Sequence, residues 1–370
     1  MRGPVGRYCE LSGIDEVTKL EAGMDFRRPE YRREVFKRFY RFQLEYHAHP
    51  GCVYFLLPAM WEGLDVEDRY WIAFLNANTQ NPITTKLFLE VCPHLPDSQS
   101  DMQRLDTFFN DNWSRLPFDT DRRYQKKDFM KSVKAYKLAV DATHGTQEEF
   151  FATHGGSGSA QERFELIWRA IRKYLYTFGR LATWSYMDYL MIVGEEIEPG
   201  GLMLNDMKGS MSHRNGLAKV LGRDDLDWHK SHEFSGDYTD DEMEWLEGES
   251  WVLWRELHES INHPHCSLLT LESAFCTFKG WFRPNRRYPN VYVDMLHDRI
   301  KQVEEKWGRR LDWFWEQREA NLPKQLLQEH NNWEGGLTRR KQNWFRETGE
   351  VIHMDLDWDC FSNNFNPEAV

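Results

Sequence analysis

The chain has 370 residues, of which 41% are hydrophobic and 29% charged, a composition typical of a globular protein with a sizeable core. Its formal net charge of −12 excludes a protein that coats nucleic acid non-specifically, although it still permits a local basic groove. The six cysteines form no CxxC pair, and no apolar run is long enough to cross a bilayer. We therefore expect a reduced, soluble protein of the cytoplasm, without a membrane partner.

Charge is segregated along the chain. Residues 27–41 and 121–137 each hold seven Lys/Arg against two acids, whereas residues 237–249 hold seven acids and no base. Charges that are clustered in sequence create local potentials when they reach the surface. The pattern predicts one polarised surface with a basic and an acidic part.

Helical periodicity dominates, and strand alternation is scarce. The predicted fold class is therefore all-α, a helical bundle with long surface loops. Helices are predicted over residues 66–78, 82–91, 161–193, 213–221, around 275–278, 291–307 and 311–330. Asn81 is the predicted N-cap of the second helix, with Pro82 at its first position, and Gly179 is a predicted break in the third. Ser212 is the predicted N-cap of the fourth helix, and Gly222 its predicted stop. The acidic segment 194–250, apart from the helix at 213–221, is predicted to form irregular surface loops.

The segment HGGSGSA at 154–160 is the only low-complexity stretch. A glycine loop that cradles phosphate is the alternative, but there is no GxxxxGK[ST] motif and no preceding strand. A linker is the preferred interpretation. It divides the chain into an N-terminal helical lobe (1–150), a second helical lobe (161–330) and a C-terminal tail (331–370).

Residues 271–299 carry the densest set of reactive side chains. Glu272 and Lys279 share a helix face, because an offset of seven residues spans about two turns. Asp294 and Asp298 follow on the next helix. These groups suit proton transfer, and the aspartates also suit Mg²⁺; a buried ion pair and an ordinary polar helix face are the alternatives.

The turn within the same segment is stiff and cationic. Arg286, Arg287 and Tyr288 follow a proline, and forked guanidinium donors suit the recognition of phosphate. A solvated turn is the alternative. No metal site is predicted, because neither HPHC at 263–266 nor the alternating aspartates at 355–359 supply a full ligand set.

Two further segments carry polar side chains at helix ends. His213, Arg214 and Asn215 crowd a helix N-terminus, where positive groups oppose the helix dipole unless an anion lies among them. Asn78, Gln80 and Asn81 lie at a corner between two helices, where amides can read base edges or fill the gap left by an extruded base. A solvent-exposed first turn and helix capping are the respective alternatives.

Residues 71–91, WIAFLNANTQNPITTKLFLEV, resemble the early helix–turn–helix of the helix-hairpin-helix DNA glycosylases. The chain lacks their LPGVG-type hairpin with its catalytic aspartate and their iron–sulfur cysteines, so base excision is not favoured. Together with residues 212–225 and 271–299, the segment resembles a divergent phage branch of that superfamily. This branch contains the α-glutamyl/putrescinyl-thymine pyrophosphorylases and the amino acid:DNA transferases of thymidine hypermodification.

The resemblance implies a glycosylase-like helical fold and an enzyme that acts on double-stranded phage DNA in the bacterial host cytoplasm. An amino acid or a polyamine would displace (pyro)phosphate from the 5-methylene of phosphorylated 5-hydroxymethyluracil, with no cofactor required. The implied roles are extruded-base or gap binding by Asn78, Gln80, Asn81 and Asn215, leaving-group binding by Arg286, Arg287, Tyr288, His213 and Arg214, proton transfer by Glu272 or Asp294, and carboxylate binding by Lys279. A glycosylase or nucleotide hydrolase on the same scaffold, and a non-enzymatic DNA-binding phage protein, are the alternatives.

Overall fold

The computed structural model describes residues 29–45, 52–143, 145–206, 211–227, 238–279 and 295–322. The α-helices of these ranges are α1 (Pro29–Glu45), α2 (Val53–Met60), α3 (Val66–Thr79), α4 (Pro82–Leu89), α5 (Gln99–Asp111), α6 (Arg122–Gln125), α7 (Phe129–Asp141), α8 (Gln147–Gly155), α9 (Ala160–Tyr174), α10 (Arg180–Val193), α11 (Ser212–Val220), α12 (Asp240–Ser260), α13 (Leu268–Lys279), α14 (Met295–Trp307) and α15 (Asp312–Asn321). No strand occurs within the ranges given above, and the predicted all-α class is confirmed.

Local start and stop signals place several helix ends where the sequence predicts them. The side chain of Asn81 caps α4, and Gly179 separates α9 from α10. Gly222 follows α11 with φ of +74°, a conformation that glycine adopts without strain. One detail is wrong: Ser212 is the first residue of α11, and Met211 occupies the cap position.

The acidic segment is helical from Asp240 onward, so the prediction of irregular loops is wrong for residues 240–250. Thr239 and Glu242 form a capping box, each side chain accepting from the other residue's backbone N–H. Acids in the first turn also favour the helix dipole. Leu246, Leu253 and Leu257 recur at helical spacing and are buried.

Three basic residues of α1, Arg32, Arg33 and Lys37, pair with acids, so the predicted polarised surface is wrong for these residues. Arg33 pairs with Glu256 at 2.7 Å and Glu249 at 3.1 Å, both on α12. Arg32 is buried and pairs with Asp224 at 2.8 Å. Arg33 thus faces two acids of α12, of which Glu249 belongs to the acidic run.

Buried apolar residues form two clusters. The first joins α2 to α5 and α7 to α10 with α14 and α15, and the second joins α1, α11, α12 and α13. The clusters meet where α10 approaches α13, with Trp184 Nε1 donating to the carbonyl of Leu269 at 3.3 Å. None of the helices in the described ranges combines the length and apolarity needed to cross a membrane.

Helix α11 packs on α13 so closely that only glycine fits at position 216. A Cβ at Gly216 would lie 2.1 Å from the carbonyl oxygen of Phe275. We expect Gly216→Ala to lower the free energy of unfolding in urea by about 3 kcal/mol or more, because the helices must separate. The control is Gly248→Ala on α12, where a Cβ meets nothing within 4 Å. That change should stabilise by about 0.5–1 kcal/mol; equal effects of the two changes would contradict the tight packing.

Candidate active site

A cluster of ionisable side chains lies buried where α10, α11 and α13 meet. Four of its members are predicted site residues, and all are 5% exposed or less. The cluster consists of Arg180, His213, Arg214, Glu272 and Lys279. The structure therefore brings the 212–225 segment directly against the 271–279 helix, while Arg180 is a member that the sequence did not reveal.

Glu272 is the central carboxylate of this cluster. Its Oε1 accepts from Arg180 Nη1 at 2.7 Å and lies 3.5 Å from His213 Nδ1. Arg180 Nη2 donates in turn to the carbonyl of Leu202 at 3.0 Å. Because the charge-assisted bond to Arg180 fixes the carboxylate, Glu272 is suited to hold its neighbours in position.

His213 is held as a neutral imidazole. Burial, followed by the charges of Arg180, Arg214 and Lys279, lowers its pKa well below the ordinary value of a histidine. Neither ring nitrogen has a hydrogen-bond partner among the described residues, and the same is true of the buried side-chain amide of Asn215. Buried polar atoms normally have partners, so this position suits a ligand with donors and acceptors of its own.

The cations that surround His213 come from three helices: Arg180 from α10, Arg214 from α11 and Lys279 from α13. Arg214 Nη1 donates to the carbonyl of Leu204 at 3.1 Å, and its guanidinium lies 4.4 Å from the Tyr238 ring centroid. Lys279 Nζ donates to Ser212 Oγ at 2.6 Å. The positive charges of these groups help to lower the pKa of His213, and they would favour binding of an anion such as phosphate or carboxylate.

A second buried acid, Asp188 of α10, was not predicted from the sequence. Tyr54 of α2 donates a hydrogen bond to Asp188 Oδ1, and the carboxyl is buried. Burial raises the pKa of Asp188 to about 7, with Glu272 contributing repulsion. The available signal was a single acid inside the apolar run of 186–193, because such a group is rarely buried without a partner.

The predicted amide corner lies between α3 and α4 and contacts a different part of α10 from the buried cluster. Gln80 Oε1 accepts from Tyr189 at 3.5 Å, about 13 Å of helix rise beyond Arg180. Asn81 caps α4 through its oxygen and donates to Asp119 at 3.0 Å through its nitrogen. Asn78 Oδ1 accepts from Arg122. Both polar atoms of the Asn81 side chain are therefore engaged within the fold, whereas Gln80 is partly exposed.

Four predicted site residues lie outside the described residues: Arg286, Arg287, Tyr288 and Asp294. Their roles stay predictions. Within the ranges that the structure describes, there is no group of three or more His, Cys, Asp or Glu side chains suited to hold a metal ion.

The buried cluster lies inside the stretch that relates this chain to known proteins. The profile of the amino acid:DNA transferase family matches residues 54–287. The chain belongs to this family. It is thus a DNA-modifying transferase whose substrates are an amino acid and DNA, and the resemblance to the phage thymidine-hypermodification enzymes is confirmed.

One relative of this transferase extends the match to nearly the whole chain. A serinyltransferase of Salmonella phage ViI is 29% identical over 353 residues, which cover 90% of this chain and 85% of the relative. No solved structure matches the chain. The glycosylase-like character of the all-α fold therefore stays a prediction.

Proposed function

We propose that the transferase attaches an amino acid to the 5-methylene carbon of (pyro)phosphorylated 5-hydroxymethyluracil in double-stranded phage DNA, releasing (pyro)phosphate. The reaction would take place in the host cytoplasm. The observation that carries the proposal is the buried cluster in which Arg180, Arg214 and Lys279 surround a neutral His213. Serine is the first amino acid to test, because the relative from phage ViI is a serinyltransferase.

The proposed step forms one bond and breaks another. A lone pair on the amino acid attacks the methylene carbon as the carbon–oxygen bond to the phosphate breaks, and the bonding electrons leave with the phosphate oxygen. The nucleophile loses a proton to a general base. The base stays attached to its sugar, which distinguishes the reaction from base excision.

The geometry supports His213 as the base in preference to Glu272. The Glu272 carboxylate already accepts from Arg180 at 2.7 Å, whereas His213 is uncharged and its Nε2 has no hydrogen-bond partner among the described residues. Glu272 would orient the ring from 3.5 Å. Arg214 would bind the leaving phosphate, and Lys279 the carboxylate of the amino acid.

The same cations would make the pKa of His213 depend on whether the substrate phosphate is bound. In the free protein they oppose protonation of His213, because an imidazolium would add a fourth positive charge. A bound phosphate offsets that field and raises the pKa of His213 toward its ordinary range. Proton transfer would therefore be favoured only when the leaving group is in place.

The test uses duplex DNA that carries 5-hydroxymethyluracil as its monophosphate or its pyrophosphate. Protein and DNA are incubated with serine alone, with a mixture of amino acids, or with putrescine, and the digested nucleosides are weighed by mass spectrometry. We expect an adduct of one amino acid with loss of (pyro)phosphate. Reductive methylation of a serine adduct tells attack by the amine from attack by the hydroxyl, because only the latter leaves a primary amine.

The controls decide between the remaining functions. No adduct with any nucleophile would overturn the proposal. Release of the free modified base would favour a glycosylase, and release of phosphate without an adduct would favour a hydrolase on this scaffold. A non-enzymatic DNA-binding role is not retained, because the chain belongs to a family of transferases.

A further inference from the structure

Exposed aromatic side chains are concentrated on one part of the surface. Eight large hydrophobic side chains are exposed among the described residues, and three of them lie between α5 and α7 or just after α9. Tyr124 is 74% exposed, Tyr176 46% and Trp113 41%. Aromatic groups of this size are normally buried, so their concentration here indicates a contact surface.

Cations lie between these rings. Arg123 and Lys127 flank Tyr124 in sequence, and Lys134 follows on α7; all three are exposed. No carboxylate in the described part of the chain forms an ion pair with any of them, in contrast to Arg33 of α1. We call the three cations and the three rings, Trp113, Tyr124 and Tyr176, the basic–aromatic face.

Lysines of the same segment contact two of the three rings. Lys126 lies 4.7 Å from the ring centroid of Trp113, and Lys131 lies 5.8 Å from that of Tyr176. Burial, and then the charge of Lys306, lower the pKa of Lys126 to about 8. Residues 121–137 hold seven Lys/Arg against two Asp, so the local charge is positive although the protein carries a net charge of −12.

Arg122 connects the face to the amide corner and to the segment that leads into α10. Its guanidinium donates to the carbonyl of Asn78 at 3.1 Å and to the carbonyl of Thr177 at 2.8 Å. Thr177 lies three residues before Arg180, the partner of Glu272. Gln80 and Thr177 both have left-handed backbones, with φ of 53° and 65°, and such conformations cluster at functional sites.

We propose that the basic–aromatic face binds the DNA strand beside the target base, with the cations on phosphates and the rings stacked on exposed bases. This inference rests on the proposed function, which makes DNA the macromolecular substrate. Phosphate contacts position a nucleic acid without reading its sequence, and aromatic stacking is equally tolerant. Arg122, which is buried, then fixes the face close to the segment that leads into the buried cluster.

The first test removes the three cations. The variant Arg123→Gln/Lys127→Gln/Lys134→Gln is compared with Arg104→Gln/Arg169→Gln/Arg255→Gln, which removes the same charge from exposed positions on three separate helices. Binding of an unmodified 20-base-pair duplex is measured by fluorescence anisotropy from 50 to 300 mM NaCl. For the first variant we expect affinity at least about tenfold lower and a plot of log K against log salt flatter by up to about 3. The control should keep the wild-type slope.

The second test removes two of the three rings, those of Tyr124 and Tyr176. The variant Tyr124→Ser/Tyr176→Ser should bind a duplex with a mispaired target thymine about tenfold or more weakly, with an unchanged salt slope, because stacking releases no counterions. A wild-type slope in the cation variant, or wild-type affinity in the ring variant, overturns the proposed face. Both DNA-binding measurements can be made without an amino acid and without turnover. DNA binding through the face without transfer would overturn the proposed function alone, and transfer with wild-type binding by both variants would overturn the face alone.

Discussion

Glu272→Gln should abolish amino-acid transfer and destabilise the fold by about 3–5 kcal/mol. The substitution leaves Arg180 buried without its carboxylate, and an uncompensated buried charge is costly. Urea unfolding measures the stability, and adduct formation measures the transfer. The matched control is Glu256→Gln on α12, whose side chain is 40% exposed and pairs with Arg33; it should cost no more than about 1 kcal/mol and preserve transfer.

A double substitution separates structure from catalysis. Arg180→Met/Glu272→Met removes both charges and should recover most of the lost stability, because an apolar pair of similar volume replaces a buried ion pair at little cost. Transfer should remain lost, since nothing then orients His213. A stable double variant with wild-type turnover would show that the ion pair has only a structural role.

His213→Gln should lower turnover by about 10² to 10⁴, with a smaller change in KM, because a general base acts in the chemical step. Folding should survive at pH 8, since the imidazole has no hydrogen-bond partner among the described residues. The control for loss of an imidazole is His258→Gln on the exposed side of α12, which should leave turnover unchanged. Turnover by the His213 variant within threefold of wild type would contradict the assignment.

The pH dependence of stability gives His213 an independent signature. Its folded-state pKa is depressed, so the unfolded chain binds the proton first and stability falls as pH drops below about 6.5. Relative to His213→Gln, the wild-type protein should lose about 1.4 kcal/mol per pH unit in that range. Inorganic pyrophosphate should reduce this loss if it offsets the field of the cations. A pH-independent difference between the two proteins would contradict a buried neutral imidazole.

Features set by neighbours in sequence were predictable. The Asn81 cap, the Gly179 break and the Gly222 stop each depend on one residue and the next turn of helix. The approach of Glu272, Lys279 and the 213–215 segment was anticipated only through the family resemblance, which implies roles for them in one site. The fold class follows from the same periodicity.

Features set by distant partners were not predictable. Arg180 and Asp188 were given no role from the sequence, because their partners Glu272 and Tyr54 are 92 and 134 residues away. The basic run of α1 predicted part of a polarised surface, because the acidic partners of Arg33 lie more than 200 residues further on. One local signal was missed: the Thr239–Glu242 capping box would have placed the start of α12.

The position of α1 has a consequence for how the chain is made. Its apolar face, with Phe36 and Phe39, is buried against residues of α11 to α13, and α13 begins 223 residues after α1 ends (Glu45 to Leu268). At about 5–20 residues per second, the ribosome needs roughly 10–45 seconds to supply those partners. During that interval the first cluster, built largely from residues 52–197, can assemble while α1 waits with its aromatic side chains uncovered. Within the described part of the chain, α1 is therefore the helix most exposed to aggregation and chaperone binding during synthesis, and the buried ionisable cluster is completed only when α13 has left the ribosome.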